Sequence, residues 1–212
     1  MTEGDIVKAK CLTAGILIGL FCTCQLGLNR SISVKPNRNI KGSPKSINGN
    51  VKVGHHARIY GSCTSINGSV EVGRGAMTRG VLSVNGGVTL EDSVQIYGDV
   101  TSVNGSMRAA AGTVIHKDLK VVNGSAVLTG TRIADDIEMV NGNLILADST
   151  DVEGDIFIKN SNHPLTICIR NGSKVHGSIR ARRDKAPVKL ILESDGQVLG
   201  RIINVEVSPD SG

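Results

Sequence analysis

Histidine and cysteine are the residue types with the widest scope for catalysis or metal binding, and each occurs five times in this 212-residue chain. His55 and His56 stand together, but no Asp, Glu or Cys recurs beside them at metal-ligand spacing. His116 could act as a general base in a β-helix acyltransferase, an enzyme class built on hexapeptide repeats. The sequence has no nucleophile elbow, phosphate-binding loop or dinucleotide fingerprint. We therefore predict a non-enzymatic protein without catalytic residues, a metal site or a cofactor.

The chain that carries these side chains is organised by a sequence repeat. Asn-Gly pairs recur six times at intervals of 18 or 19 residues, and a fixed period of this size is typical of a repeat architecture. Asn and Gly tolerate the left-handed backbone of a sharp corner, and stacked Asn side chains can bond one another in an amide ladder. We therefore predict a structural ladder whose amides are buried between neighbouring coils, although Asn-Gly is also typical of β-hairpin turns. Its members are Asn48, Asn67, Asn85, Asn104, Asn123 and Asn141.

Hydrophobic residues recur at fixed places if each repeat is numbered from the residue two before its Asn. Positions 2, 6 and 8 are apolar throughout, and position 7 is polar in the first four repeats, as in Val51-Lys52-Val53. This alternation is typical of a half-buried strand, so positions 2, 6 and 8 are expected to form the core. Position 2 is occupied by Ile47, Ile66, Val84, Val103, Val122 and Val140.

Strands of about five residues need support from neighbouring repeats, and a repeat of 18 or 19 residues fits one coil of a β-solenoid. The sequence therefore predicts an all-β, single-domain β-solenoid, or β-helix, of about eight coils that lengthen to about 23 residues at the C-terminal end. The scarcity of aromatic residues, 2% of the chain, agrees with a narrow core. The predicted boundaries are 1–30 for a signal peptide or N-terminal anchor, 31–45 for a linker, 46–207 for the solenoid and 208–212 for a tail.

The outward position 7 changes character along the chain. It is polar in the first four repeats and apolar in the next four. A contiguous exposed apolar stripe usually marks an interface or is covered by other parts of the chain, and the insertions at 160–164 and 182–187 could supply such cover. Unless they do, we predict an interface for self-association or for another partner. The candidate interface consists of Val127, Ile145, Cys168 and Ile191.

A second outward column is expected at position 15, just before the Gly of an aliphatic-x-Gly-x-aliphatic pattern. It contains both tyrosines of the chain, and Arg79 between them is expected within reach of a cation–π contact. The column is either a mixed solvated face or a recognition stripe. The candidate surface stripe is Tyr60, Arg79, Tyr97 and His116, and its predicted continuation is Asp135, Glu153, His176 and Leu199.

The remaining charged and sulfur-containing residues predict few ligands. The formal net charge is +5, without the aromatic residues that accompany a nucleic-acid-binding patch. The most basic run, residues 180–185, is expected to be a solvated loop, or else a contact site for an anionic surface. Cys63 is expected inside the core and Cys168 on the outside, about five coils away, so no disulfide is predicted.

The first thirty residues differ from the rest of the chain. Lys8 and Lys10 precede an uncharged run from Cys11 to Leu28, whose apolar centre is Leu12 to Phe21. The pattern predicts a secretory signal peptide, with a retained membrane anchor over residues 11–28, a lipoprotein or a mis-assigned start as alternatives. Export to the periplasm or cell envelope follows, with membrane contact only through this segment.

Repeated Ser-Val-Asn-Gly-Ser-Val coils joined to Val-x-Gly-Asp-Ile units resemble an uncharacterised group of bacterial secreted or envelope proteins. The Val-Glu-Gly-Asp-Ile unit at 152–156 and the Val-His-Gly-Ser-Ile unit at 175–179 are also similar to those of bactofilins, which are polymer-forming β-helix proteins. The resemblance covers residues 46–203 and implies a β-helix that polymerises, with no catalytic residues to carry over. Bactofilins are usually cytosolic, and the segment Leu12 to Phe21 departs from that pattern.

These patterns together predict a structural β-solenoid of the bacterial cell envelope. It would act as a scaffold, and its partners would be copies of itself or other components of the envelope. Nucleic acid is not expected as a partner. A β-helix acyltransferase and a binding module for an anionic or glycan ligand on the C-terminal loops are the alternatives.

Overall fold

The computed structural model describes residues 26–159, 161–183 and 186–208, so the predicted signal peptide or anchor lies outside the described residues except for 26–30. In this part of the chain every regular element is a β-strand, and neighbouring strands are parallel. The strands stack as a β-solenoid of about nine coils, which confirms the predicted all-β, single-domain β-solenoid. Within the described ranges no helix is long and apolar enough to cross a membrane.

Each coil contributes to three columns of strands, which we call faces 1, 2 and 3 in chain order within a coil. Face 1 is a ten-stranded sheet of Ile32–Val34, Val51–Val53, Val70–Val72, Val88–Leu90, Met107–Ala109, Ala126–Thr129, Leu144–Ala147, Leu165–Ile169, Val188–Leu192 and Glu206–Ser208.

Faces 2 and 3 are joined into one 17-stranded sheet by two longer strands, Arg58–Ser65 and Met77–Val84, which run through both. Face 2 also contains Asn39–Ile40, Gln95–Ile96, Val114–Ile115, Arg132–Ile133, Asp151–Val152, Lys174–Val175 and Gln197–Val198. Face 3 also contains Leu26–Gly27, Lys45–Ser46, Val100–Val103, Leu119–Val121, Ile137–Met139, Ile156–Ile158, Ile179–Ala181 and Ile202–Ile203.

Face 1 follows the alternation predicted from the sequence. Val51 and Val53 are buried while Lys52 between them is exposed. Each strand is in register with the strand one coil later, so the inward residues form continuous aliphatic columns. Full burial of one Val or Leu side chain contributes roughly 1.5–3 kcal/mol. The stack of coils therefore provides the core, which no single coil could form.

The predicted linker at 31–45 is wrong, because these residues belong to the first coil of the solenoid. Leu26–Gly27 pairs with Lys45–Ser46 on face 3, and Ile32–Val34 pairs with Val51–Val53 on face 1. The solenoid therefore begins at residue 26 within the described part of the chain, so the predicted boundary of the N-terminal segment at residue 30 is also wrong.

The Asn-Gly period did not predict the first coil, because its corner lacks the Asn-Gly pair. Asn29 has a left-handed φ of 52°, as several later Asn corners do, but Arg30 follows it in place of Gly. Pro36 and Pro44 also favoured the linker prediction. Both lie between strands, where a proline removes no hydrogen bond from the sheet.

The C-terminal coils are longer, as the sequence predicted. Leu144 is in register with Ile167, and Leu165 with Val188, which gives 23 residues per coil in each case. The extra residues lie between face 3 and face 1, so they leave the strand stack intact. Strand Glu206–Ser208 ends one residue beyond the predicted solenoid, and the rest of the predicted tail lies outside the described residues.

Candidate functional site

The six predicted Asn side chains form one continuous amide ladder at the corner between faces 3 and 1. Each Nδ2 atom donates to Oδ1 of the Asn one coil earlier, over 2.9 Å from Asn104 to Asn85. Asn48 extends the ladder to Asn29 of the first coil. We expected these amides to be buried, but Asn141 alone is half-buried and the other five are exposed. The ladder is therefore an outer edge of the solenoid.

The two residues of the Asn-Gly pair have separate roles. Asn104 takes the left-handed backbone, with φ of 54°. Gly105 is required by space, because a Cβ at this position would lie 2.1 Å from the carbonyl oxygen of Gly86 in the preceding coil. The corner therefore combines a residue that tolerates positive φ with one that lets successive coils approach closely.

The residue before each Asn points outward, so the core predicted at position 2 is wrong. Ser83 and Ser102 at position 1 are fully buried, and their hydroxyls donate to the carbonyl oxygens of Gly86 and Gly105 at 2.8 Å. Successive residues of a strand alternate sides, so an inward Ser places the next residue outside. These outward residues form the edge stripe: Leu28, Ile47, Ile66, Val84, Val103, Val122 and Val140.

The edge stripe runs across seven consecutive coils in register. At ~4.8 Å per coil it is roughly 29 Å long. Leu28 is 66% exposed and Ile66 36% exposed, and the other members are half-buried. Sequence periodicity did not find this surface, because the alternation of face 1 does not continue through the Asn-Gly corner.

The candidate interface lies on the outside of face 1, in the register that the sequence predicted. Val127, Ile145, Cys168 and Ile191 are aligned from coil to coil, and we call them the face 1 stripe. All four are half-buried. The described residues of the 160–164 and 182–187 loops therefore do not cover these four side chains completely. Cys168 Sγ also lies 3.8 Å from Oε2 of Glu193.

The candidate surface stripe lies along the outside of face 2, one residue per coil. The rings of Tyr97 and His116 stack, with centroids 5.1 Å apart and planes 10° from parallel. Tyr60 is 61% exposed and Tyr97 is 51% exposed. An open groove of about 610 Å³ is lined by Arg58, Ile59, Tyr60, Met77, Arg79 and Tyr97.

The predicted continuation of this stripe is wrong at one coil. Ile115 is in register with Ile133, so Ala134, and not Asp135, follows His116 in the column. The corner before it is shorter, because Gly130 alone stands where the preceding coil has Ala111 and Gly112. Glu153, His176 and Leu199 occupy the column as expected.

The predicted cation–π contact of Arg79 is not formed. Over the described ranges such contacts occur only at Phe157, where Lys159 Nζ and the Arg180 guanidinium lie 5.9 and 5.8 Å from the ring centroid. Arg180 also forms a salt bridge with Asp155 at 3.3 Å. The basic run at 180–185 is therefore partly neutralised at its first residue.

A charge network crosses face 3 near its middle. Glu138 lies 2.9 Å from Lys120 and is also bound by Lys159. Partial burial opposes the ionisation of Glu138, but the hydrogen bonds from Lys159 and Lys120 outweigh it and hold its pKa below the usual value. The hydrogen bond to Glu138 in turn raises the pKa of Lys120.

Three carboxylates, of Asp118, Asp135 and Asp136, lie within 4.8 Å of one another at the corner between faces 2 and 3. Asp118 accepts a hydrogen bond from the backbone N–H of Asp136 at 3.3 Å, and Asp136 accepts one from that of Asp155 at 2.7 Å. Partial burial and the neighbouring carboxylates raise the pKa of Asp118, and the bond from Asp136 opposes them. The carboxylates thus join successive coils.

Cys63, Cys168 and the histidine pair lie where the sequence placed them. Cys63 is fully buried, its Sγ is 3.6 Å from Oγ1 of Thr78, and burial raises its pKa to about 11. Cys168 lies on the outside of face 1, and no disulfide joins the two. His55 and His56 are exposed, with their rings edge to face at 5.7 Å.

The described chain thus presents three candidate surfaces: the edge stripe, the face 1 stripe and the groove of face 2. No protein-family model, curated protein or solved structure matches the sequence. Functional inference therefore rests on the geometry and chemistry of these surfaces.

Proposed function

We propose that the protein is a structural scaffold that works by association with copies of itself. The observation that carries the proposal is the edge stripe, an aliphatic residue at the outward position 2 of seven consecutive coils. Contiguous apolar area of this kind on a soluble surface is typical of an interface. Polar residues would fit the same backbone at these solvent-facing positions and would not expose apolar surface to water.

The spacing of the edge stripe favours a second copy as the partner. Its side chains repeat every ~4.8 Å along one line, and another solenoid of this chain repeats at the same interval, so each contact can recur along the whole length. A stripe roughly 29 Å long and one side chain wide covers less than the ~800 Å² per partner of a standard interface. The flanking Asn ladder and the outward residues of face 3 therefore also belong to the contact.

The charges beside the edge stripe favour an antiparallel pair. The adjacent outward column of face 3 has Lys45 towards one end and Glu138 towards the other, with the uncharged Leu82 and Thr101 in the middle. A two-fold axis between the coils of Leu82 and Thr101 matches the six stripe members from Ile47 to Val140 with one another and places Lys45 of each copy opposite Glu138 of the other. It also places Lys120 opposite the uncharged Thr64. Closed two-fold pairing is the commonest form of homo-oligomer.

The face 1 stripe offers a second contact for the same function. It is on a different side of the solenoid and lies in the C-terminal half, whereas the edge stripe occupies the N-terminal and middle coils. Two contacts on different sides would allow assembly beyond a pair, as a scaffold requires.

Lys substitutions on the two stripes test the proposal. Ile66→Lys places a charge in the edge stripe, Ile145→Lys places one in the face 1 stripe, and Thr89→Lys is the control at an exposed site of face 1. We expect Ile66→Lys to lower the mass in sedimentation velocity, with an unchanged circular dichroism spectrum, and Thr89→Lys to keep the wild-type mass. A monomeric wild type would contradict the proposal, and dissociation by Ile145→Lys alone would move the contact to face 1.

We also propose that this scaffold belongs to the bacterial cell envelope. Support comes from the N-terminal sequence, where Lys8 and Lys10 precede an uncharged stretch with the apolar centre Leu12 to Phe21. Cell fractionation with mass spectrometry of the mature N-terminus tests it. Recovery of the chain in the cytosol, with its N-terminal segment intact, would contradict export.

A further inference from the structure

The N-terminal half of face 2 brings exposed aromatic rings and basic side chains together. Lys41, Tyr60, Arg79 and Tyr97 follow one another in a single outward column, one per coil. Arg58 lies in the same groove as both tyrosines. All five side chains are exposed, so a ligand from solution has access to the rings and to the charges at once.

The basic residues of this groove lack the acidic partners that two residues further along the same face have. On the C-terminal half, Arg132 pairs with Glu153, and His176 Nε2 lies 2.8 Å from Oδ1 of Asp151. In the described part of the chain, by contrast, no salt bridge involves Lys41, Arg58 or Arg79. The groove therefore has an uncompensated positive charge, which favours an anionic ligand.

We propose that this groove binds an acidic polysaccharide, a chain of sugar rings that carry carboxylates. Tyr60 and Tyr97 are two coils apart, roughly 9.6 Å at ~4.8 Å per coil, and Arg79 occupies the coil between them. A sugar ring in an extended chain advances by close to the height of one coil. Alternate sugars thus pack on the two tyrosines, and the carboxylate of the intervening sugar meets the Arg79 guanidinium, which matches carboxylates in a bidentate geometry.

The site differs from the C-terminal loops on which the sequence suggested an anionic or glycan ligand. There Arg180 is already engaged by Asp155 and by the ring of Phe157. In the groove of face 2, the stack on His116 holds the Tyr97 ring in place while half of its surface stays exposed. A pre-positioned ring loses little conformational freedom on binding.

Single-stranded nucleic acid is the competing polyanion. Proteins that bind it combine a basic groove along the phosphates with aromatic rings on which successive bases stack. Face 2 instead alternates ring and cation along one line, and the two tyrosines are separated by a full intervening coil. This order suits a polymer whose every unit carries both an apolar ring face and a charge.

The two tyrosines make the site directly observable. The chain contains no Trp and both of its Tyr residues line the groove, so intrinsic tyrosine fluorescence reports on ligand there. The full chain is titrated with oligogalacturonate, with a neutral maltooligosaccharide of equal length, and with oligothymidylate. We expect a saturable change with oligogalacturonate that weakens as salt is added, and binding of the other two weaker by about tenfold or more.

Matched charge removals show whether binding is specific to the groove. Arg79→Gln is expected to weaken oligogalacturonate binding about tenfold, as for loss of a charge-assisted contact. Arg132→Gln removes the same charge elsewhere on face 2 and is expected to change the affinity by less than about twofold. Equal losses in the two variants, no saturable signal, or tighter binding of oligothymidylate would each overturn the proposal.

Discussion

Replacement of Asn104 separates the two tasks that its side chain performs at the corner. Asn104 has a left-handed φ of 54°, which strains most residues other than Gly and Asn. Its amide donates to Asn85 and accepts from Asn123. Asn104→Gly removes the amide but accommodates the backbone, whereas Asn104→Ala removes the amide and adds strain. The difference between the two variants therefore measures the backbone contribution.

The expected losses in the free energy of unfolding follow from the exposure of the ladder. Its two hydrogen bonds at Asn104 are solvent-exposed, so each falls at the low end of the ~0.5–1.5 kcal/mol of a net hydrogen bond. We expect a loss of about 1 kcal/mol for Asn104→Gly. Asn104→Ala adds ~1 kcal/mol of backbone strain, for about 2 kcal/mol in all. The control Lys52→Ala removes only an exposed ion pair with Glu71 and should cost less than about 0.5 kcal/mol.

Urea denaturation followed by circular dichroism provides the measurement. The urea midpoint should be highest for Lys52→Ala, lower for Asn104→Gly and lowest for Asn104→Ala. Ser102→Ala, which removes the buried hydroxyl bonded to Gly105, should cost about 1 kcal/mol and reports on the inner row of the corner. Equal midpoints for the Gly and Ala variants would refute the role of φ. A midpoint for Asn104→Gly equal to that of Lys52→Ala would refute any contribution of the ladder.

Three further predictions concern titration and reactivity. The fold raises the pKa of Asp118, so the ionised form of Asp118 destabilises the folded state. Asp118→Asn should therefore raise the melting temperature at neutral pH, and the gain should vanish below about pH 3, well under the usual Asp pKa, where the folded and unfolded states are both protonated. The fold lowers the pKa of Glu138, so its stabilisation is present at neutral pH and is lost as pH falls through that lowered pKa. Thermal unfolding of Glu138→Gln should accordingly show a deficit at neutral pH but none in acid. Alkylation of the native protein, followed by peptide mass spectrometry, should modify Cys168 before Cys63, since Cys63 is fully buried with a pKa of about 11. Early labelling of Cys63 would contradict its position in the core.

The sequence alone predicted the solenoid and the register of face 1. Val51-Lys52-Val53 and its counterparts alternate strictly in the first four repeats, and the Asn-Gly pairs set the length of the coils between Asn48 and Asn141. A residue between two inward neighbours on a strand must point outward, so the alignment of Ile145 with Cys168 followed from local pattern and repeat length. These features need no knowledge of how the corners close.

The direction of the side chains at the corners was decided only by the tertiary structure. Ile66 and Ser65 are adjacent, and hydrophobicity favoured Ile66 for the core. The solenoid instead buries Ser65, because its hydroxyl can reach the carbonyl oxygen of Gly49 one coil earlier, at 2.7 Å. That acceptor is brought near by the stacking of coils, and a partly buried carbonyl without a hydrogen-bond donor is costly. An aliphatic residue could not satisfy it, so the corner places Ser inside and leaves the edge stripe on the surface.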